Sequence, residues 1–142
     1  MIRRTLVKNA LNAKEPEEEI RIEGWVRTRR DAKAFSFFEI NDGTSLANLQ
    51  IIVDATLSDY ETEIVKVTTG AAIRVHGKLK ISQGKNQGWE VIATAFEVIG
   101  QADASYPLQK KGHSLEFLRE IAHLRPRSNL FGCVFRVRSR LA

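Results

Sequence analysis

Arg27, Arg29, Arg30 and Lys33 crowd together with Phe35, Phe37 and Phe38 inside one short stretch, "GWVRTRRDAKAFSFFEIND", which runs from Gly24 to Asp42. Cations and rings at this spacing suit one kind of chemistry. Guanidinium and ammonium groups hold a phosphodiester backbone by charge, and aromatic faces give unstacked bases a place to stack. A strand that only builds a core alternates apolar with polar residues, and a solvated basic face has no use for rings at every second or third position. Solvated charges at a strand end are the competing reading of the same cations.

The charge distribution says more than its sum. The chain of 142 residues carries a net +5, yet residues 107–142 hold 8 Lys and Arg against 2 Asp and Glu, which leaves residues 1–106 near neutrality. A broad polyanion-binding surface is therefore not expected in the first part, and any nucleic-acid contact there must be a local patch, with Arg27, Arg29, Arg30 and Lys33 as the candidates. The single Cys133 excludes an internal disulfide, and His76, His113 and His123 are too scattered to suggest a metal. No run of about 18 apolar residues is present to span a bilayer, and "MIRRTLVKNALNAKEPEEE" lacks the apolar core of a secretory signal. A cytoplasmic protein without membrane partners is expected. At 43% hydrophobic residues the chain can bury one core.

The elements that would position these side chains read mainly as short strands. "EIRIEGWVRT" puts Ile20, Ile22, Gly24 and Val26 on one face and Arg21, Glu23, Trp25 and Arg27 on the other. "FSFFEI" groups Ser36, Phe38 and Ile40 against Phe35, Phe37 and Glu39. "ANLQIIVD" groups Leu49, Ile51 and Val53 against Asn48, Gln50 and Ile52. The Asn41-Asp42-Gly43 turn favours antiparallel pairing of the last two. Leu57, Tyr60, Ile64 and Val67 recur at helical spacing, with Ser58 or Asp59 as cap and Gly70 as stop, so a helix is expected there. "AAIRVHGKLKIS" and "GWEVIATAFEVIG" read as two further strands joined by the loop "QGKNQG". Five strands with a helix between the third and fourth follow the order of an OB-fold, a partly open Greek-key barrel that binds oligonucleotides on its strand 2 and 3 face.

Beyond Gly100 the composition shifts. "QADASYPLQKKGHS" reads as a linker and "SLEFLREIAHL" as a short helix capped by Ser114. A last helix starts near Ser128 or Asn129 and carries Leu130, Val134, Val137 and Leu141 on one stripe, with Phe131 and Phe135 beside it. The expected organisation is an N-terminal extension over 1–18, the barrel over 19–100, a hinge over 101–127, and the opening helix of a further domain over 128–142, which suggests a larger protein cut short.

Together, "GWVRTRRDAKAFSFFEINDG", "LQIIVD", "VHGKLK" and "YPLQKKGHSLEFLREIAHLRPRSNLFGCVFRVRS" resemble the N-terminal part of class II aminoacyl-tRNA synthetases of the aspartyl, asparaginyl and lysyl subgroup, over nearly the whole chain. The junction "HLRPRSN" followed by "VFRVRS" is similar to the asparagine-specific bacterial branch. The resemblance implies that the barrel binds the anticodon loop of tRNA(Asn). It places Phe37 where the central uridine stacks, Gln50 where a glutamine hydrogen-bonds that uridine, and Arg30 near the anticodon bases. Glu90 aligns with a glutamate on the last strand close to the anticodon, and Lys80 with a basic position. Arg27, Arg29, Lys33 and Phe35 are left as phosphate or secondary contacts.

The resemblance also implies a full-length, homodimeric ligase that joins asparagine to tRNA with ATP and magnesium. The ATP-binding motifs of such enzymes are absent from this chain, which alone is expected to need no cofactor and not to aminoacylate. Two other readings stay open. One is an OB-fold module that binds single strands without reading them, against which the near-neutral barrel argues; the other is the same domain of an aspartyl enzyme.

Overall fold

The computed structural model describes residues 2–84 and 88–142. Five strands among the described residues close a barrel: β1 (Glu17–Asp31), β2 (Phe35–Asn41), β3 (Leu49–Asp54), β4 (Ala72–Ile81) and β5 (Trp89–Gly100). Their order around the barrel is β1-β2-β3-β5-β4, with β4 returning to pair with β1 and with β3 and β5 parallel. This is the expected OB-fold arrangement. Of the loop "QGKNQG" expected between β4 and β5, residues 85–87 lie outside the described residues.

Alternation explains the core. Ile20, Ile22 and Val26 of β1, Phe38 and Ile40 of β2, and Leu49, Ile51 and Val53 of β3 are fully buried, with Ile73, Val75, Leu79 and Val91 closing the other side. Removing this much aliphatic surface from water is the main source of the barrel's stability. Ser36 is buried among them, and its hydroxyl donates to Asp31 and meets the Tyr60 hydroxyl. That donation, the larger influence, and the Arg29 guanidinium outweigh partial burial and hold the Asp31 carboxyl below its ordinary range.

The helix expected between β3 and β4 does not form. Residues 55–63 run as turns, and only Ile64–Lys66 winds into a single 3-10 turn. Asp59 adopts φ +65°, in the left-handed region, and its carbonyl accepts from both Glu63 and Ile64 N–H, so no regular ladder can start there. The apolar positions still reach inward: Ile64 and Val67 are fully buried, and Leu57 and Tyr60 pack against the core.

The segment ahead of the barrel is tied to it. Helix α1 (Val7–Leu11) buries Val7 and Ala10 in the barrel core. Its preceding residue, Leu6, offers no capping side chain, and the cap comes from the β2–β3 turn instead: Asp42 Oδ2 accepts from the Val7 N–H at 3.0 Å, and Thr44 Oγ1 accepts from the Lys8 N–H at 3.1 Å. Burial pushes the Asp42 carboxyl up, but the Thr44 hydroxyl, the Val7 and Thr44 N–H groups and Arg4 together outweigh it and hold the pKa below the ordinary value.

After the barrel, α2 (Leu115–Glu120) is capped by Ser114, whose Oγ accepts from Phe117 N–H at 3.1 Å. Helix α3 (Asn129–Leu141) starts at Ser128 in the same manner. Its apolar stripe, Leu130, Val134, Val137 and Leu141, is exposed. No helix among the described residues is long and apolar enough to cross a membrane.

Candidate nucleic-acid interface

Two cross-strand rows cover one outer face of the barrel. In the first, Thr28, Glu39, Gln50, Glu90 and Lys80 stand side by side on β1, β2, β3, β5 and β4. The second, two residues along each strand, holds Arg30, Phe37, Ile52, Ile92 and Lys78 in the same order. Neighbours in a row are one strand spacing apart, about 4.8 Å, so each row is a continuous strip on which a nucleotide can span two strands.

Their contents differ in chemistry. In the first row the Gln50 amide donates to Glu90 Oε2 at 3.2 Å, and Ser82 Oγ donates to the same oxygen at 2.9 Å, which fixes a nearly buried carboxylate and orients the amide beside it. Thr28 Oγ1 donates to Glu39 at 2.8 Å, and Lys80 stands exposed at the end. In the second row the Arg30 guanidinium lies 4.7 Å from the centre of the half-buried Phe37 ring, with Ile52 and Ile92 continuing the apolar strip. A ring flanked by a cation and aliphatic side chains offers a base both a stacking surface and a positive neighbour. Beyond the Ile92 position, Lys78 is paired with Glu18 at 2.7 Å.

The structure brings Arg30, Phe37, Gln50, Glu90 and Lys80 together, but it divides the basic cluster that the sequence presents as one patch. Arg27 is the extra residue of a β-bulge between Val26 and Thr28. Its guanidinium donates to the Arg127 carbonyl, between α2 and α3. The bulge also shifts the phase of β1, so Arg29 pairs with the inward Phe38 while Arg30 pairs with the outward Phe37. Arg29 is then used within the fold: Nη1 donates to the Ile64, Val65 and Val67 carbonyls at 2.8 to 3.0 Å, Nε donates to Asp31, and the guanidinium lies over Phe38. A guanidinium with its donors committed to backbone has little left for phosphate. Lys33 stands exposed in the β1–β2 turn, and Phe35 is exposed opposite Asp54.

Sequence reading did not single out Glu39, Thr28 or Ser82. Glu39 was legible from its shared parity with Phe37. Thr28 was not, because the bulge that turns it outward leaves no local mark, and Ser82 reaches Glu90 only through the β4–β5 pairing.

The family described as OB-fold nucleic acid binding domain, of the tRNA anti-codon type, matches residues 20–99. The chain belongs to that family. The chain is also 53% identical over 139 residues to the asparagine–tRNA ligase of Oleidesulfovibrio alaskensis, covering 97% of this chain and 30% of that protein. It is 49% identical over 138 residues to the asparagine–tRNA ligase of Microcystis aeruginosa, again covering 97% of this chain and 30% of that protein. The chain thus spans about a third of the length of the curated relatives it matches. Among solved structures, asparaginyl-tRNA synthetase from Pyrococcus horikoshii complexed with asparaginyl-adenylate superposes with a TM-score of 0.80 at 23% identity, over 98% of this chain and 32% of that one. At that identity the likeness establishes the fold.

Proposed function

We propose that this OB-fold domain reads the anticodon of tRNA(Asn) as the N-terminal part of a cytoplasmic, homodimeric asparagine–tRNA ligase. The observation that carries the reading is the pairing of the two rows, an oriented amide and carboxylate beside an accessible ring. The central uridine stacks on Phe37 next to Arg30, and the Gln50 amide meets its Watson–Crick edge. A uracil presents an N3–H donor where a cytosine presents a bare acceptor, so an amide oxygen there favours uridine. Stacking supplies affinity, about 1 to 3 kcal/mol per base, and the amide supplies the choice. Glu90 holds the amide in position and, with Lys80, borders the space for a neighbouring base.

The ligase chemistry, in which asparagine is activated by ATP with magnesium, is proposed for the full-length protein, and no step of it is assigned to these residues. The exposed stripe of α3 is the part of this chain suited to the dimer contact. The identity to asparagine–tRNA ligases favours this reading over an aspartyl enzyme.

Titration of the purified chain with an anticodon stem-loop bearing GUU, and with one bearing GCU, tests the proposal at near-physiological salt. Tighter binding of GUU is expected. Equal and steeply salt-dependent binding of both would replace it with an OB-fold that holds single strands without reading them.

A further inference from the structure

We propose that the cleft between the barrel and the hinge holds the sugar–phosphate backbone of the RNA strand flanking the anticodon, with Lys110 and Lys111 as its phosphate contacts. The proposal rests on the anticodon reading above and adds a second, separable site to it. The cleft encloses about 380 Å³ between Thr28 and Asn48 on the barrel and Gln109, Lys110, Lys111 and His113 on the hinge.

The first supporting observation is charge. Among the described residues no Asp or Glu lines the cleft, and the nearest carboxylate, that of Glu39 in the reading row with Glu90, already accepts from Thr28 in the cleft wall at 2.8 Å. Carboxylates beside the bases disfavour phosphates there, which favours a further backbone contact away from the reading row. Within the barrel, Arg27 and Arg29 are committed to backbone carbonyls, which leaves Arg30, Lys33 and Lys80 among its exposed cations, while the hinge and α3 region carries the chain's excess of positive charge.

The second is availability. Lys110 and Lys111 are exposed, and neither enters an ion pair among the described residues. A lysine ammonium is a flexible point charge that serves a phosphate without a fixed fork geometry.

The third is continuity. Thr28 belongs both to the polar row and to the cleft wall, and Asn48, also in the wall, stands two positions before Gln50. At strand spacing that is about 7 Å, so a strand whose base sits on Gln50 and whose backbone follows β3 towards its start enters the cleft.

The double variant Lys110→Ala/Lys111→Ala, made in the whole chain, is titrated with the GUU and GCU stem-loops over a salt series. Both stem-loops should bind more weakly by the same factor. The slope of log affinity against log salt should fall by about 1.4 to 1.8, the loss of two phosphate contacts, with the GUU-to-GCU ratio unchanged. Lys110→Arg/Lys111→Arg should keep the slope, and an unchanged melting temperature for the alanine variant would exclude misfolding as the cause. An unchanged slope in the alanine variant overturns the proposal, and so does a collapse of the GUU-to-GCU ratio, which would make the cleft part of the base-reading site. If the unmodified chain shows no GUU preference while the alanine variant still lowers the slope, the cleft stands and the anticodon reading falls.

Discussion

Of the arginines that lie over aromatic rings of this barrel, Arg30 on Phe37 and Arg127 on Trp25 do different things. On the outer face Arg30 covers Phe37 at 4.7 Å, with the arginine exposed and a row of oriented polar groups alongside. At the seam where the segment after α2 meets the barrel, Arg127 covers Trp25 at 4.3 Å, and there the arginine is half-buried and partnered: its carbonyl accepts from Arg27, and its Nη1 donates to the Tyr106 hydroxyl at 3.4 Å. The same contact is open to solvent and to a ligand in one place and fastens two segments together in the other. What separates them is whether the surrounding donors and acceptors already have protein partners, because a cation–π pair gains from desolvation in a seam and stays available to a ligand when it faces water.

Breaking the seam should cost the most stability. Gly70 adopts φ +97°, and a Cβ there would sit 2.6 Å from the Tyr106 ring. Gly70→Ala combines a left-handed backbone penalty with an overpacked contact, for an expected loss of about 2 to 4 kcal/mol in urea unfolding. The GUU-to-GCU preference should persist in the protein that remains folded. A loss of preference without a loss of stability would show that the seam and the reading face are one site.

Breaking the reading face should do the reverse. Phe37→Ala removes a half-buried ring and should weaken GUU stem-loop binding by about 1 to 3 kcal/mol, while thermal unfolding moves little. Gln50→Ala should reduce the preference for uridine over cytosine by about 1 kcal/mol, the worth of a single hydrogen bond. Unaltered binding in Phe37→Ala would argue that this pair, too, is only structural.

The smallest effect should come from the Asp42 cap, which belongs to neither region. Its folded pKa is depressed, so its stabilisation is fully present above the unfolded value near 3.9 and is lost as pH falls through the lower folded value. Asp42→Asn should lower stability at pH 7 by about 1 kcal/mol, and the gap to the unmodified chain should close below about pH 4. A gap that stays constant with pH would show that the carboxylate charge is not what holds α1.

The contrast also marks what could be read from residues alone. Two-residue alternation is local, so the burial of Phe38, Ile40, Leu49, Ile51 and Val53, and the outward position of Phe37 and Gln50, followed from sequence. The helix read over Leu57, Tyr60, Ile64 and Val67 had the right inward residues and the wrong backbone, because apolar spacing does not register the left-handed Asp59. Helix α1 leaves no local mark, because five residues carry too little periodicity and its cap is supplied from Asp42, far along the chain.

What the sequence by itself determined is which faces of the strands are apolar and which residue types can meet a base. The tertiary structure decided which of those side chains share one face. The bulge at Arg27 sends Arg29 inward and Arg30 outward, and the parallel β3–β5 pairing sets Glu90 beside Gln50 across 40 positions of chain. Both depend on barrel closure, in which strand stagger and non-local hydrogen bonding are fixed together, and no local pattern encodes that constraint.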